Sequence, residues 1–177
     1  MPLSGTAGGL RLTLVRHGRA EQQAPGQLDF DRALDRRGVA EVAGMAQRCL
    51  ESGRLPDRLR ASAALRTRQT AETFARVLSI PAGDVSFERG LYLAEAGELL
   101  ALLRATPPDT RHLMLVGHNP GIGDLAHQFA PAARLAGFET AATCTIRLEA
   151  RMWRDLRPGE ALEVQYDSPA RSGEPWA

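Results

Sequence analysis

The sequence predicts an α/β fold: a three-layer α/β/α sandwich built on a mostly parallel central sheet. Three observations carry this expectation. Short, largely apolar runs alternate with stretches of helical period along most of the chain, the pattern of βαβ units whose parallel sheet is covered on both faces. Two of those runs, residues 12–15 and 113–116, are continuous enough to be strands buried on both sides. Each stops abruptly in polar residues, Arg16-His17-Gly18 and Gly117-His118-Asn119. Ligands of open α/β sheets bind at the carboxyl ends of strands.

The elements follow in order. After the first strand, residues 19–37 are polar and irregular, with Pro25-Gly26 as a turn signal and Asp29, Asp31 and Asp35 among arginines. This stretch is expected to be a loop crossing the mouth of a site. From Gly38, apolar side chains recur at Val39, Val42, Ala43, Ala46, Cys49 and Leu50, a helical period that Ser52-Gly53 stops. Residues 58–62 read as a second strand with Leu59 and Ala61 on one face. A helix over 65–78 buries Ala71, Phe74, Ala75 and Leu78 and ends at Ile80-Pro81. A weak strand over 85–87 follows Gly83-Asp84, and residues 91–93 are ambiguous. A leucine-rich helix over 98–104 is closed by Thr106-Pro107-Pro108. Residues 112–116 form a clear buried strand and 122–129 a helix, with a loop over 131–141. Residues 142–148 and 161–166 are two further strands around a Pro158-Gly159 turn. One domain is expected over residues 10–167, between a flexible leader at 1–9 and a flexible tail at 168–177.

Composition excludes several classes of function. A net charge of +1 gives no global field that would draw the chain to nucleic acid or to a membrane surface. No run is long and apolar enough for a transmembrane helix, and the start lacks the basic and apolar regions of a signal peptide; a cytoplasmic protein is expected. Cys49 and Cys144 have no metal-knuckle spacing and read as reduced core residues. All 22 basic residues are arginine, which excludes Schiff-base chemistry, a phosphate-loop lysine and a lysine base. An anion site here must use Arg, His and backbone amides.

Such a site is written in three places. Arg16 offers a planar fork suited to phosphate or carboxylate, and His17 could serve as base, ligand or nucleophile. Parallel strands place their carboxyl ends on one edge, so His17 and His118 can share a cleft. The third piece, Ser62-Ala63-Ala64-Leu65-Arg66-Thr67-Arg68-Gln69-Thr70, also follows a strand. It puts Arg66 in the first turn of a helix, whose free amides and dipole favour an anion. Arg68 is expected to face solvent, and His112 and His127 to be structural or solvated.

Arg16-His17-Gly18, the S-x-x-x-R-x-x-Q-T pattern beginning at Ser62 and Gly117-His118-Asn119-Pro120 together resemble the histidine phosphatase (phosphoglycerate mutase-like) superfamily, and most of all its small SixA-type branch of phosphohistidine phosphatases. The resemblance runs from about residue 12 to about residue 167. It implies the phosphoglycerate mutase-like fold, with His17 as a nucleophile that becomes transiently phosphorylated. It also implies a phosphate pocket formed by Arg16, Arg66 and His118. Flanking cations hold an imidazole neutral and stabilise the equatorial oxygens of a phosphoryl transition state, so neither metal nor cofactor is required. His118 and His127 lack the i, i+4 spacing of a helical metal site. Larger relatives carry a glutamate general acid in the region holding Glu88, Glu95 and Glu98, and the sequence does not select among them. A labile phosphoramidate needs less acid assistance than an alkyl phosphate, so phosphohistidine on a signalling protein is the expected substrate. Hydrolysis of small phosphoesters and a non-catalytic phosphate-binding module are the alternatives; the oligomeric state is open.

Overall fold

The computed structural model describes residues 9–131 and 137–171. Most of the expected leader lies outside the described residues, as does the tail beyond Arg171. Ser168, where the flexible tail is expected to begin, is buried, and its carbonyl accepts a hydrogen bond from Arg48.

Among the described residues, six strands form one sheet: β1 (Arg11–Arg16), β2 (Arg58–Ser62), β3 (Val85–Glu88), β4 (His112–Gly117), β5 (Thr143–Leu148) and β6 (Ala161–Asp167). Their spatial order is β3-β2-β4-β1-β5-β6. The first four run parallel, β5 lies antiparallel to β1, and β6 lies antiparallel to β5. Four α-helices among the described residues flank the sheet: α1 (Arg36–Glu51), α2 (Leu65–Val77), α3 (Ala96–Arg104) and α4 (Gly121–Phe129).

Alternation along the strands splits the interior into two cores. Leu12 and Leu14 of β1 and Leu113 and Leu115 of β4 join Leu99, Leu103, Ile122, Leu125 and Phe129 of α3 and α4 on one face. Val15, Met114 and Val116 join Val42 and Met45 of α1 and Ala71 and Phe74 of α2 on the other. This is the expected three-layer sandwich. The central strand β4 is buried along its whole length, which explains its unbroken apolar run.

Boundaries differ from the sequence expectation where a cap decides them. Helix α1 begins at Arg36 because the Asp35 carboxylate accepts the Gly38 N–H at 2.7 Å. Helix α3 begins at Ala96, two residues early, through a capping box between Glu95 and Glu98. Val39, counted in the apolar stripe of α1, is 53% exposed, and Met45 takes the core position instead. At Gly18, a Cβ would meet Val42 Cγ2 of α1 at 2.5 Å. Its missing side chain lets α1 close against the end of β1.

The sheet register builds the site. Arg16 of β1 pairs with Gly117 of β4, so the next residues of the two strands, His17 and His118, emerge side by side. Strand β2 lies on the far side of β4, in register Ala61 with Val116, and delivers Ser62 to the same edge.

Candidate active site

A cleft of about 390 Å³ opens at that edge, lined by Arg16, His17, Arg19, Asp29, Arg32, Arg66, His118 and Asn119 among others. All four residues singled out by the motifs are brought together there. The rings of His17 and His118 stand edge to face with centroids 5.1 Å apart. Arg66, 3% exposed, lies against both: its Nε is 3.4 Å from His17 Nε2 and its Nη2 is 3.4 Å from His118 Nδ1. Arg16 donates from Nη1 to the Phe138 carbonyl at 3.0 Å, while its Nε is buried without a hydrogen-bond partner among the described residues.

The hydrogen bonds assign the ring nitrogens. His17 Nδ1 is 2.8 Å from its neighbour's carbonyl oxygen at Gly18, so Nδ1 carries the proton and Nε2 keeps its lone pair. Burial, with the cations Arg66, Arg16 and Arg32, pushes the His17 pKa down to about 4. Burial, His17 and Arg66 push His118 down to about 3. Both imidazoles are neutral at pH 7, and His17 presents an uncharged nitrogen toward Arg66. Arginine can only donate, so His118 Nδ1 accepts from Arg66 and its Nε2–H donates to Ser62 Oγ at 2.8 Å.

The remaining letters of the S-x-x-x-R-x-x-Q-T pattern act as braces. Thr70 Oγ1 accepts the Gly18 N–H at 3.1 Å and donates to the Arg66 carbonyl, tying the nitrogen after His17 to the helix that carries Arg66. Gln69 Oε1 accepts the Leu34 N–H at 2.7 Å, holding the base of the loop between β1 and α1. That loop crosses the mouth as expected. Leu93, Phe138 and Ala141, on the segments around the cleft, hold left-handed φ values of 53°, 35° and 61°, a concentration of backbone strain typical of functional regions.

Three carboxylates from the region of the expected acid are elsewhere. Glu88 is locked by two bonds to Arg60, at 2.7 and 2.8 Å, which hold its pKa below the usual value. Glu95 and Glu98 are exposed at the α3 cap, and none of the three lines the cleft. The carboxylate that does is Asp29, in a short 3-10 turn (Asp29–Asp31) of the crossing loop. Its Oδ2 accepts from Tyr92 Oη at 2.6 Å and from Arg66 Nη2 at 2.9 Å, and its Oδ1 accepts from Arg32 Nη1 at 2.8 Å. Its carbonyl oxygen also takes Arg66 Nη1, at 2.6 Å. These donors, led by Tyr92, hold its pKa far below the usual carboxylate range. Sequence reasoning missed Asp29 and Tyr92 because the contact of Asp29 to Arg66 spans 37 residues and its contact to Tyr92 spans 63.

The other candidates sit apart. Arg68 is exposed and stacks on Phe87 at 4.6 Å. His112 is buried between Thr13 Oγ1 at 2.8 Å and the Leu55 carbonyl at 3.0 Å, a structural role. His127 is exposed on α4. Among the described residues no three His, Cys, Asp or Glu side chains gather as a metal site would need, and no helix is long and apolar enough to cross a membrane.

Comparison with known proteins finds a family and related chains. Residues 12–91 match the family model of the histidine phosphatase superfamily (branch 1). An uncharacterised protein of Picosynechococcus is 34% identical over 123 residues, covering 68% of this chain and 73% of that one. An uncharacterised chloroplastic protein of Arabidopsis thaliana is 30% identical over 131 residues, which are 70% of this chain but only 60% of the plant protein. The crystal structure of the SixA protein of Agrobacterium tumefaciens, assigned as a phosphohistidine phosphatase, superposes with a TM-score of 0.74 at 29% identity. The match covers 88% of this chain and 98% of that one.

Proposed function

Because the chain belongs to the histidine phosphatase superfamily, and is a phosphatase as that membership implies, we propose that it removes phosphate from phosphohistidine on a protein. The reaction would pass through a transient phosphohistidine at His17. His17 Nε2 attacks the phosphorus as the substrate's P–N bond breaks, and the substrate imidazole leaves. Water then attacks the phosphorus on His17, releasing orthophosphate and restoring the neutral ring. Arg16, Arg66 and His118 surround the phosphoryl oxygens. Fixed guanidinium groups aimed at the equatorial oxygens supply the stabilisation that phosphoryl transfer mainly needs, so the reaction is proposed to run without metal.

One observation carries the choice of substrate: the carboxylate in the cleft, Asp29, is held ionised by Tyr92, Arg32 and Arg66 and is a poor proton donor. An alkoxide leaving group needs a proton on the bridging oxygen as the bond breaks. The imidazole of phosphohistidine has a second ring nitrogen that solvent can protonate, and it leaves neutral without an acid from the enzyme. A cytoplasmic setting belongs to the same proposal, and the free thiols of Cys49 and Cys144 suit a reducing compartment.

The test is turnover of a phosphohistidine-bearing protein domain against a panel of small phosphoesters, with EDTA present. The phosphoprotein is expected to be preferred by at least tenfold in kcat/KM, with no loss of rate to the chelator. Preference for a small ester, or loss of activity with EDTA, contradicts the corresponding part of the proposal.

A further inference from the structure

Arg66 is used on two edges at once. A guanidinium is planar and rigid, and offers paired donors along two edges, Nε with Nη2 and Nη1 with Nη2. The Nε–Nη2 edge faces the two imidazoles, His17 Nε2 and His118 Nδ1, each at 3.4 Å. The Nη1–Nη2 edge is closed by a single residue: the Asp29 carbonyl oxygen takes Nη1 at 2.6 Å and its carboxylate takes Nη2 at 2.9 Å. These two contacts fix the head group of an arginine whose stem is flexible.

The clamp is itself fixed. Tyr92 donates to the same carboxylate oxygen at 2.6 Å, and its ring packs edge to face on His118, with centroids 5.4 Å apart, and on Phe30 at 5.1 Å. Arg32 holds the other oxygen. Arg66, Asp29, Tyr92 and His118 thus close a ring of contacts around the cleft. Asp29 stands on the loop entering α1 and Tyr92 on the segment before α3, so the ring also joins two separate stretches of chain at the site.

We propose that Asp29, held by Tyr92, is the positioning residue for Arg66: it occupies one edge of the guanidinium so that the other faces the phosphoryl group on its way to His17. This rests on the phosphatase reading above. The geometry leaves the reacting edge free of Asp29, so the carboxylate orients the arginine and does not compete with the substrate for that edge.

The experiment compares wild type with Asp29→Ala, Asp29→Asn and Tyr92→Phe in steady-state turnover, in inhibition by orthovanadate and orthophosphate, and in urea unfolding. Vanadate adopts the geometry of the phosphoryl transition state, and phosphate that of the ground state. Asp29→Ala is expected to lower kcat/KM and to raise the vanadate Ki by tenfold or more, with the phosphate Ki raised by less. Asp29→Asn keeps an acceptor oxygen and should recover part of both losses. Tyr92→Phe should move the same quantities in the same direction by a few-fold, with an unfolding midpoint close to wild type. Vanadate inhibition unchanged or tightened in Asp29→Ala, or in Asp29→Asn and Tyr92→Phe should the alanine variant not fold, overturns the positioning role. Wild-type protein that neither turns over nor binds vanadate overturns the phosphatase reading instead.

Discussion

At the scale of the residue, chemistry here is set by which ring nitrogen bears a proton. His17 donates from Nδ1 to the Gly18 carbonyl, and burial, with the nearby guanidinium groups of Arg66, Arg16 and Arg32, penalises a second proton. Its pKa stands at about 4, below the ordinary 6.5, so the ring is neutral above that value and becomes an unreactive cation only as pH falls through it. Ring nitrogen shifts of the empty enzyme should therefore show His17 as the Nδ1–H tautomer from pH 8 down to about 5. A titration midpoint near 6.5 would contradict the account. The sequence made His17 and His118 legible because each ends an apolar strand. It left Asp29 illegible because a lone aspartate in a polar loop carries no local signal, and only the fold brings it to Arg66.

Elements carry the site through their ends and close approaches. Periodicity located the helices of the two faces, yet it placed the starts of α1 and α3 late. Caps, not apolar residues, set those starts: Asp35 bonds to Gly38, and Glu95 pairs with Glu98. The same blindness hid the junction between α4 and the segment carrying Tyr92. A Cβ on Gly121 would stand 2.0 Å from the Ala94 carbonyl oxygen. Gly121→Ala must separate α4 from residues 93–94, a backbone displacement that costs about 1–3 kcal/mol. The expected result is a lower urea midpoint together with reduced kcat, since α4 follows His118 and the displaced segment follows Tyr92. Stability equal to wild type would show that the contact yields freely.

For the whole molecule, the fold is a device for bringing three strand ends to one edge. The class of fold was readable from alternating strand and helix patterns, and the shared cleft followed from the rule that parallel strands end together. The order of strands was not readable. It places β4 between β1 and β2, so that His118 stands between His17 and Ser62 and can touch both. The central claim is that this assembly moves a phosphoryl group onto His17 Nε2. Its most direct test is to mix labelled phosphohistidine protein with wild type and with His17→Ala, quench in alkali within milliseconds to seconds, and count the label retained on the enzyme. The account requires acid-labile, alkali-stable label on wild type, formed no slower than turnover, and none on His17→Ala. Label on the variant, or turnover by wild type with no labelled intermediate, would contradict it.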